Sequence, residues 1–213
     1  MKEVTKLVLP VAGLGKRLQP LTFKTPKALL KANGKPILDY ILEETLGTTI
    51  EEVILVINPK QREDFESYVK KAKKKFSNLK FIIKNQKLAL GTGHVLLMAG
   101  EFVKREPFAV RFADDILASS KPVLPTLINY YRETQSSVLT LRKVSRRLVS
   151  RFGVVAAKKV SGSSGIFKIS KIIEKPRLEE APSNLVLIGA YILTPDVLKA
   201  VVFLDNKNKG NLK

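Results

Sequence analysis

Short, uninterrupted apolar runs alternate along this chain with longer stretches in which apolar residues return every three or four positions. Leu7 to Ala12, Glu52 to Ile57, Leu79 to Ile83 and the segment opening at Phe108 are of the first kind. Runs of that length with little internal charge predict strands buried on both faces, as in a parallel sheet. Arg62 to Phe76 is of the second kind: Phe65, Tyr68, Val69 and Ala72 fall on one helical stripe and lysines fill the other face. Helices are likewise predicted for Ile37–Leu42, with Pro36 in the first turn, for the stretch carrying Val95 to Met98, and for Val123–Glu133. Ser137–Leu141 reads as a strand. From Phe152 the chain turns β-rich, with a strand over Phe167–Ile173 and a flexible hairpin turn at Ser161–Gly165. Strand and helix alternating in this way predict an α/β fold, a Rossmann-like, doubly wound, mixed but mainly parallel sheet that binds ligands at the C-terminal ends of its strands. Residues 1–213 are expected to form a single domain, whose character changes from α/β (1–135) to β-rich (136–213).

Composition narrows the class. With 213 residues the chain can bury a sizeable core. No apolar run approaches the ~20 residues of a membrane span, and the N-terminus enters strand-like sequence too early for a signal peptide. Zero cysteines exclude disulfides and thiolate metal sites and fit a cytoplasmic protein. A single histidine, His94, excludes any mechanism that needs a His pair; its expected role is packing or capping at a helix start.

Charge changes the picture more. Lysine and arginine number 38 against 19 acids, a net +19. Such a field attracts nucleic acid or acidic surfaces and steers polyanionic small molecules. The lysines at Lys70–Lys75 sit on a solvated helix face, and no run interleaves exposed aromatics with basic residues as a single-strand platform would. Nucleic acid is therefore not expected to be the main partner, nor is a membrane.

The chemistry concentrates in Leu7 to Leu38. A strand runs into Gly13-Leu14-Gly15, then into Lys16, Arg17, Lys24 and Lys27, with Pro20 and Pro26 stiffening the loop. Backbone N–H groups at such a turn can cradle phosphate oxygens, and the cations can neutralise them. Two familiar glycine motifs do not fit. A P-loop needs wider glycine spacing and Ser or Thr after its Lys, whereas Arg17 follows Lys16; a dinucleotide fingerprint needs a third glycine where Leu18 stands. Further on, Gln86 and Gly91 flank a loop between strand and helix, and a glutamine amide can both donate to and accept from a base edge. Asp114 and Asp115 end the Phe108 strand; adjacent side chains on extended backbone diverge, so at most one faces a site. A carboxylate there suits Mg²⁺.

The longer pattern, Gly-x-Gly-Lys-Arg-Leu-x-Pro-Leu-Thr from Gly13, then Pro26-Lys27 and Lys35-Pro36-Ile37, resembles the sugar-1-phosphate nucleotidyltransferase family, and within it the branch that acts on UTP and glucose 1-phosphate. Asp-x-Ile-Leu from Asp114, Phe152-Gly153-Val154-Val155, Glu174-Lys175-Pro176, Ala181 to Leu185 and Ile188 to Tyr191 continue the likeness to about Leu198. The resemblance implies the nucleotide-diphospho-sugar transferase type of fold, with 1–135 as the nucleotide-binding part and 136–213 as the sugar-phosphate-binding part. It implies transfer of a uridylyl group from UTP to glucose 1-phosphate, with Mg²⁺ as cofactor and UDP-glucose and pyrophosphate as products. Arg17 and Lys27 become catalytic; Ala12, Gly13, Leu14, Gly15, Gln86 and Gly91 bind the nucleotide. Gly153, Glu174, Lys175, Asn184 and Gly189 bind the sugar phosphate, and Asp114 binds the metal. Alternatives stay open: another triphosphate or sugar (dTTP, GTP, mannose 1-phosphate), or a relative that binds without turnover. The chain departs from the pattern at Lys16, where the family has Thr. The family's pattern also continues past Lys213 into a segment with a second metal-binding Asp and subunit contacts. Either one carboxylate with substrate phosphates suffices for the metal, or a shortened form is impaired, and a homo-oligomer stays open.

Overall fold

A computed structural model describes residues 2–88, 90–116, 122–163 and 165–207. In chain order its elements are β1 (Lys6–Pro10), β2 (Lys31–Ala32), β3 (Lys35–Pro36), α1 (Ile37–Glu43), β4 (Glu52–Ile57), α2 (Arg62–Lys75), β5 (Lys80–Asn85), α3 (Gly91–Val103), β6 (Phe108–Arg111), α4 (Val123–Thr134), β7 (Val138–Lys143), β8 (Gly153–Lys159), β9 (Phe167–Glu174), β10 (Leu185–Leu193) and α5 (Pro195–Lys207). They fall into two compact units, 1–138 with 189–213, and 139–188. The sequence places its change of character at 135–136; the contacts place a boundary at 138–139 and return the chain to the first unit from Gly189.

In the first unit β5, β4, β1 and β6 lie side by side and parallel, and Ala190–Leu193 of β10 run antiparallel to β6. This is the doubly wound, mainly parallel mixed sheet that the alternation predicts. Period-two geometry sorts its side chains. Leu7, Leu9, Val53, Leu55, Ile57 and Ala109 join one core cluster with Leu38, Ile41 and Leu42 of α1, Phe65, Tyr68, Val69 and Ala72 of α2, and Leu124, Leu127, Ile128 and Tyr131 of α4. Val8, Ile54, Val56 and Val110, on the alternate positions, are equally buried outside that cluster, and α3 packs against β1, β4 and α5. Burial on both faces is why these strands read as unbroken apolar runs.

Chain order and strand order part company at β1. The connections from β1 to β4 and from β4 to β5 move outward on one side, and the connection to β6 returns to β1's other edge. Where the order reverses, the loops leaving neighbouring strands diverge and open a crevice at the C-terminal ends.

The second unit is antiparallel. β8 pairs with β9 from Gly153↔Glu174 to Lys159↔Phe167, with a bulge at Ala156–Ala157, and Val186 of β10 pairs with Val154. Val149, Val154, Ala181 and Val186 form its small core. The hairpin turn falls at 161–165 as expected, with Val160 N donating to Ile166 O at 2.9 Å; its Ser164 lies outside the described residues, as does Leu117 of Asp-x-Ile-Leu.

Element ends differ from the expectations in ways that matter for the site. The strand predicted over Leu7–Ala12 stops at Pro10, although Val11 N still donates to Val56 O at 2.9 Å, so Ala12 to Gly15 leave the sheet and are free to wrap a ligand. Pro36 belongs to β3 and caps α1 from an extended conformation (φ −53°, ψ 140°) rather than entering its first turn. The helix expected around Val95–Met98 begins at Gly91.

Candidate active site

Three loops leave the C-terminal ends of β1, β5 and β6 and enclose a cavity of 440 Å³. Its lining includes Ala12, Gly13, Gly15, Arg17, Lys27, Gln86, Gly91 and Asp114. Residues far apart in sequence thus meet where the sheet order reverses. Leu14 of the nucleotide set belongs to the same loop and is exposed, but it does not line the cavity.

The two loop glycines have different reasons. Gly15 sits at φ +63°, and a Cβ on it would stand 2.9 Å from Cγ2 of Thr22 and 3.1 Å from Cβ of Lys27. Its carbonyl accepts from Leu18 N (2.8 Å) and from the hydroxyl of buried Thr22 (2.9 Å). Gly15 is therefore the pivot that turns the chain from the strand into the Lys16–Leu18 helical turn. Around Gly13, by contrast, a Cβ would meet nothing within 4 Å; the space there is the cavity itself. Arg17 projects from the turn with an exposed side chain, and the following loop brings Lys27 back to the same cavity.

Lys27 Nζ forms a 2.8 Å ion pair with Asp114 Oδ2. The two side chains are 30% and 55% exposed, so the pair is of the kind worth about 0–1 kcal/mol. An arriving phosphate can take the ammonium, and a cation the carboxylate, at little cost. For a divalent cation the site supplies one hard oxygen ligand. Among the described residues no group of three or more carboxylates, histidines or cysteines gathers to hold an ion alone. One carboxylate with substrate phosphates and water matches the way Mg²⁺ is usually held, so the residues fit a substrate-bridged ion.

The strand expected to end in Asp114 and Asp115 stops at Arg111, and both acids sit in the turn after it, where Asp115 N donates to Phe112 O at 3.3 Å; Asp115 nonetheless points elsewhere. Its Oδ2 accepts from Gly189 N at 2.9 Å. Gly189 O accepts from Phe112 N (2.9 Å) and from Arg111 Nη1 (3.0 Å). Both backbone groups of Gly189 are thus engaged inside the first unit, and a Cβ there would fall 2.7 Å from that of Asp115. In this structure Gly189 closes the loop that carries Asp114.

Arg111 completes that lock. It is fully buried, forms a two-point ion pair with Glu44 (Nε–Oε2 3.2 Å, Nη2–Oε1 2.9 Å), and its Nη1 also donates to the carbonyls of Phe112 and Asp115. A desolvated guanidinium is tolerable only when its donors find acceptors, and each of the three nitrogens of Arg111 has at least one. Sequence reasoning passed over Arg111, though a charge inside an apolar strand run is a signal for a buried, partnered ion; its partner 67 positions away is not legible.

Gln86 is buried at the end of β5, its backbone N held by Ile57 O at 2.7 Å. Its Nε2 stands 2.9 Å from Nδ1 of His94 and 3.5 Å from Gly91 O. Gly91 opens α3 at φ +83°. His94, expected only to pack or cap, is in direct contact with the base-reading candidate.

In the second unit, Gly153 and Glu174 are paired across β8 and β9, and a Cβ on Gly153 would lie 3.1 Å from Oε2 of Glu174. Lys175, at φ +44°, donates its N–H to Phe152 O (3.0 Å), while its ammonium lies 3.6 Å from Oε1 of Glu174. The two side chains are exposed, at 64% for Lys175 and 71% for Glu174. The turn gathers an acceptor and a cation at one exposed strand end. Asn184 contributes its carbonyl to Val144 N at 3.0 Å.

The family model for nucleotidyl transferases matches residues 6–213. A UTP–glucose-1-phosphate uridylyltransferase of Staphylococcus haemolyticus is 32% identical over 230 aligned residues, which cover 99% of this chain and 77% of that protein. A crystal structure of UDP-glucose pyrophosphorylase complexed with UDP-glucose superposes with a TM-score of 0.82 at 31% identity, covering 93% of this chain and 79% of the other. A UTP-bound enzyme of the same kind from Acinetobacter baumannii gives 0.77 at 27% identity, over 99% and 79% of the two chains.

Proposed function

The chain belongs to the nucleotidyl transferase family, and from that premise we propose that it transfers the uridylyl group of UTP to glucose 1-phosphate, giving UDP-glucose and pyrophosphate. One observation carries the proposal: a single cavity at the sheet's reversal point gathers a glycine-turned loop, three cations (Lys16, Arg17 and Lys27), a carboxylate and a buried amide. That is the set a nucleoside triphosphate needs, and the relatives named above are uridylyltransferases and pyrophosphorylases.

The chemistry asks for positioning rather than for a strong base. The nucleophile, a phosphate oxygen of the sugar phosphate, is already an anion and attacks the α-phosphorus in line while pyrophosphate leaves opposite. Ala12 to Gly15 cradle the phosphates with backbone N–H groups. Arg17 takes the charge that builds on the leaving pyrophosphate. Lys27, released from Asp114, takes that on the reacting phosphates. Gln86 and Gly91 hold the base. Glu174 accepts from sugar hydroxyls and Lys175 binds the sugar's phosphate, with Gly153, Asn184 and Gly189 assigned to the same substrate. A divalent cation, for which Mg²⁺ is the proposed identity, would be held by Asp114 and would supply charge neutralisation on the phosphates. No described helix is long and apolar enough to cross a membrane. Cytoplasmic action is part of the proposal, supported by the absence of cysteine. A homo-oligomer is compatible with it.

Pyrophosphate release by the purified protein with Mg²⁺, UTP and glucose 1-phosphate tests the reading. Release that requires both sugar phosphate and metal is expected. Lys27→Ala should lower turnover by roughly 10²–10³-fold, as for loss of one preorganised oxyanion donor, with an unchanged circular dichroism spectrum. Full turnover in the folded variant would remove Lys27 from the mechanism.

A further inference from the structure

Gln86 offers a base two faces of one amide, and the structure decides which of them is free. Its nitrogen lies against two protein atoms, Nδ1 of His94 at 2.9 Å and the Gly91 carbonyl oxygen at 3.5 Å. A carbonyl oxygen only accepts. Turning the amide over would set its oxygen against that carbonyl, and would require a proton on Nδ1 of His94. With the amide as found, Nε2 spends its hydrogens on His94 and Gly91. The histidine then carries its own proton on Nε2, and Oε1 of Gln86 accepts no hydrogen bond among the described residues. Gln86 is 95% buried yet lines the cavity, so Oε1 is the acceptor it presents there.

We infer that His94 fixes the orientation of the Gln86 amide and thereby makes this subsite select pyrimidines that carry a proton on ring nitrogen 3. Uracil and thymine have an N–H at that position and can donate it to Oε1. Cytosine has a lone pair there, and in the same pose would set it against Oε1. His94 touches no substrate in this account. It is a positioning residue, acting through Gln86 from the first turn of α3. The inference rests on the proposed binding of a pyrimidine triphosphate by Gln86 and adds what enforces the choice. It admits UTP and dTTP and disfavours CTP. A site that hydrogen-bonds a polar edge rejects the mismatched analogue strongly because its own buried group is then left unpaired.

Two measurements test this. Because His94 is the only histidine, ¹⁵N chemical shifts of the imidazole ring report its tautomer without any substitution. The expected result is a proton on Nε2 and a bare Nδ1; a proton on Nδ1 overturns the inference. Calorimetric titration with UTP and with CTP, both with Mg²⁺, then reads the consequence. The wild type is expected to favour UTP at least about tenfold. His94→Asn, whose Oδ1 can stand where Nδ1 stood, should keep that ratio. His94→Leu, which removes the acceptor, should lose most of it while its helix content is unchanged. Equal binding of UTP and CTP by the wild type, or a folded His94→Leu with the ratio intact, overturns the inference even when pyrophosphate release confirms the reaction. Failure to bind either triphosphate overturns the functional reading itself, and this inference with it.

Discussion

Among the residues of the β1 loop, Gly13 and Gly15 look interchangeable in sequence and are not. Gly15 combines a left-handed backbone with a Cβ position already occupied by Thr22 and Lys27. Gly15→Ala should cost about 1–2 kcal/mol of folding free energy from the backbone alone, and displace the loop enough to weaken UTP binding at least tenfold. Gly13→Ala meets no protein atom; its midpoint in urea should stay at the wild-type value while the KM for UTP rises, because the methyl enters ligand space. Urea melts and UTP titrations on both variants separate the two roles. Both glycines were legible as turn residues, since only a missing Cβ permits such a bend. The division of labour was not, because it depends on Thr22 and Lys27 folding back over one glycine and not the other. His94 and Arg111 carried weaker signals still. One histidine on a helix start and one arginine in a strand acquire meaning only from Gln86 and from Glu44.

At the scale of elements, α1 and α2 are joined by a polar network outside their shared apolar core. Tyr68 donates to Asp39 (2.6 Å), Lys75 bridges Asp39 (3.1 Å) and Glu43 (2.8 Å), and Lys35 donates to Glu43 (2.5 Å). Burial raises the Tyr68 hydroxyl far above the ordinary tyrosine range, helped by Asp39, so the phenol stays a donor throughout. Burial pushes the Glu43 carboxyl up, but the hydrogen bonds from Lys35 and Lys75 outweigh it and the net direction is down. The Lys75 ammonium is raised by its hydrogen bonds to Glu43 and Asp39. A carboxyl lowered in the fold gives stability above its unfolded value, which is lost as pH falls through the folded one. A raised ammonium gives stability below its unfolded value, which is lost as pH rises through the folded one. The network therefore supports the fold between roughly pH 5 and pH 10. Glu43→Gln should lower the melting temperature at pH 7 and lose less on going from pH 5 to pH 3 than the wild type does, as thermal melts across pH will register. Some acid loss will remain, since Glu3, lowered by its hydrogen bond from Arg132, and Glu106, lowered by Lys6, also titrate there. The helices and their inward stripes were readable from spacing. That Lys75 pairs across to α1 was not, because a lysine-rich face reads as solvated until a neighbouring element brings carboxylates to it.

The whole molecule carries +19, and an anionic triphosphate approaching it feels that field before any contact forms. The association rate of UTP, measured by stopped flow, should fall steeply as ionic strength rises from about 0.05 to 0.5 M, because the Debye length shrinks below the dimensions of the site. The dissociation rate should change less. A rate indifferent to salt would mean that the charge serves something other than substrate capture. At this scale the sequence by itself determined the α/β class, the strand runs and helix stripes, and the loop chemistry of Gly13 to Lys27. These are local properties: side-chain period follows from backbone geometry, and glycine freedom from the lack of a Cβ. The tertiary structure alone decided that Lys27 meets Asp114, 87 positions away, that Asp115 holds Gly189, 74 positions away, and that the chain returns from Gly189 to its first unit. Those meetings depend on β6 coming back to the far edge of β1 and on β10 then pairing with β6, and strand order is chosen by the packing of whole layers, which no local pattern of residues encodes.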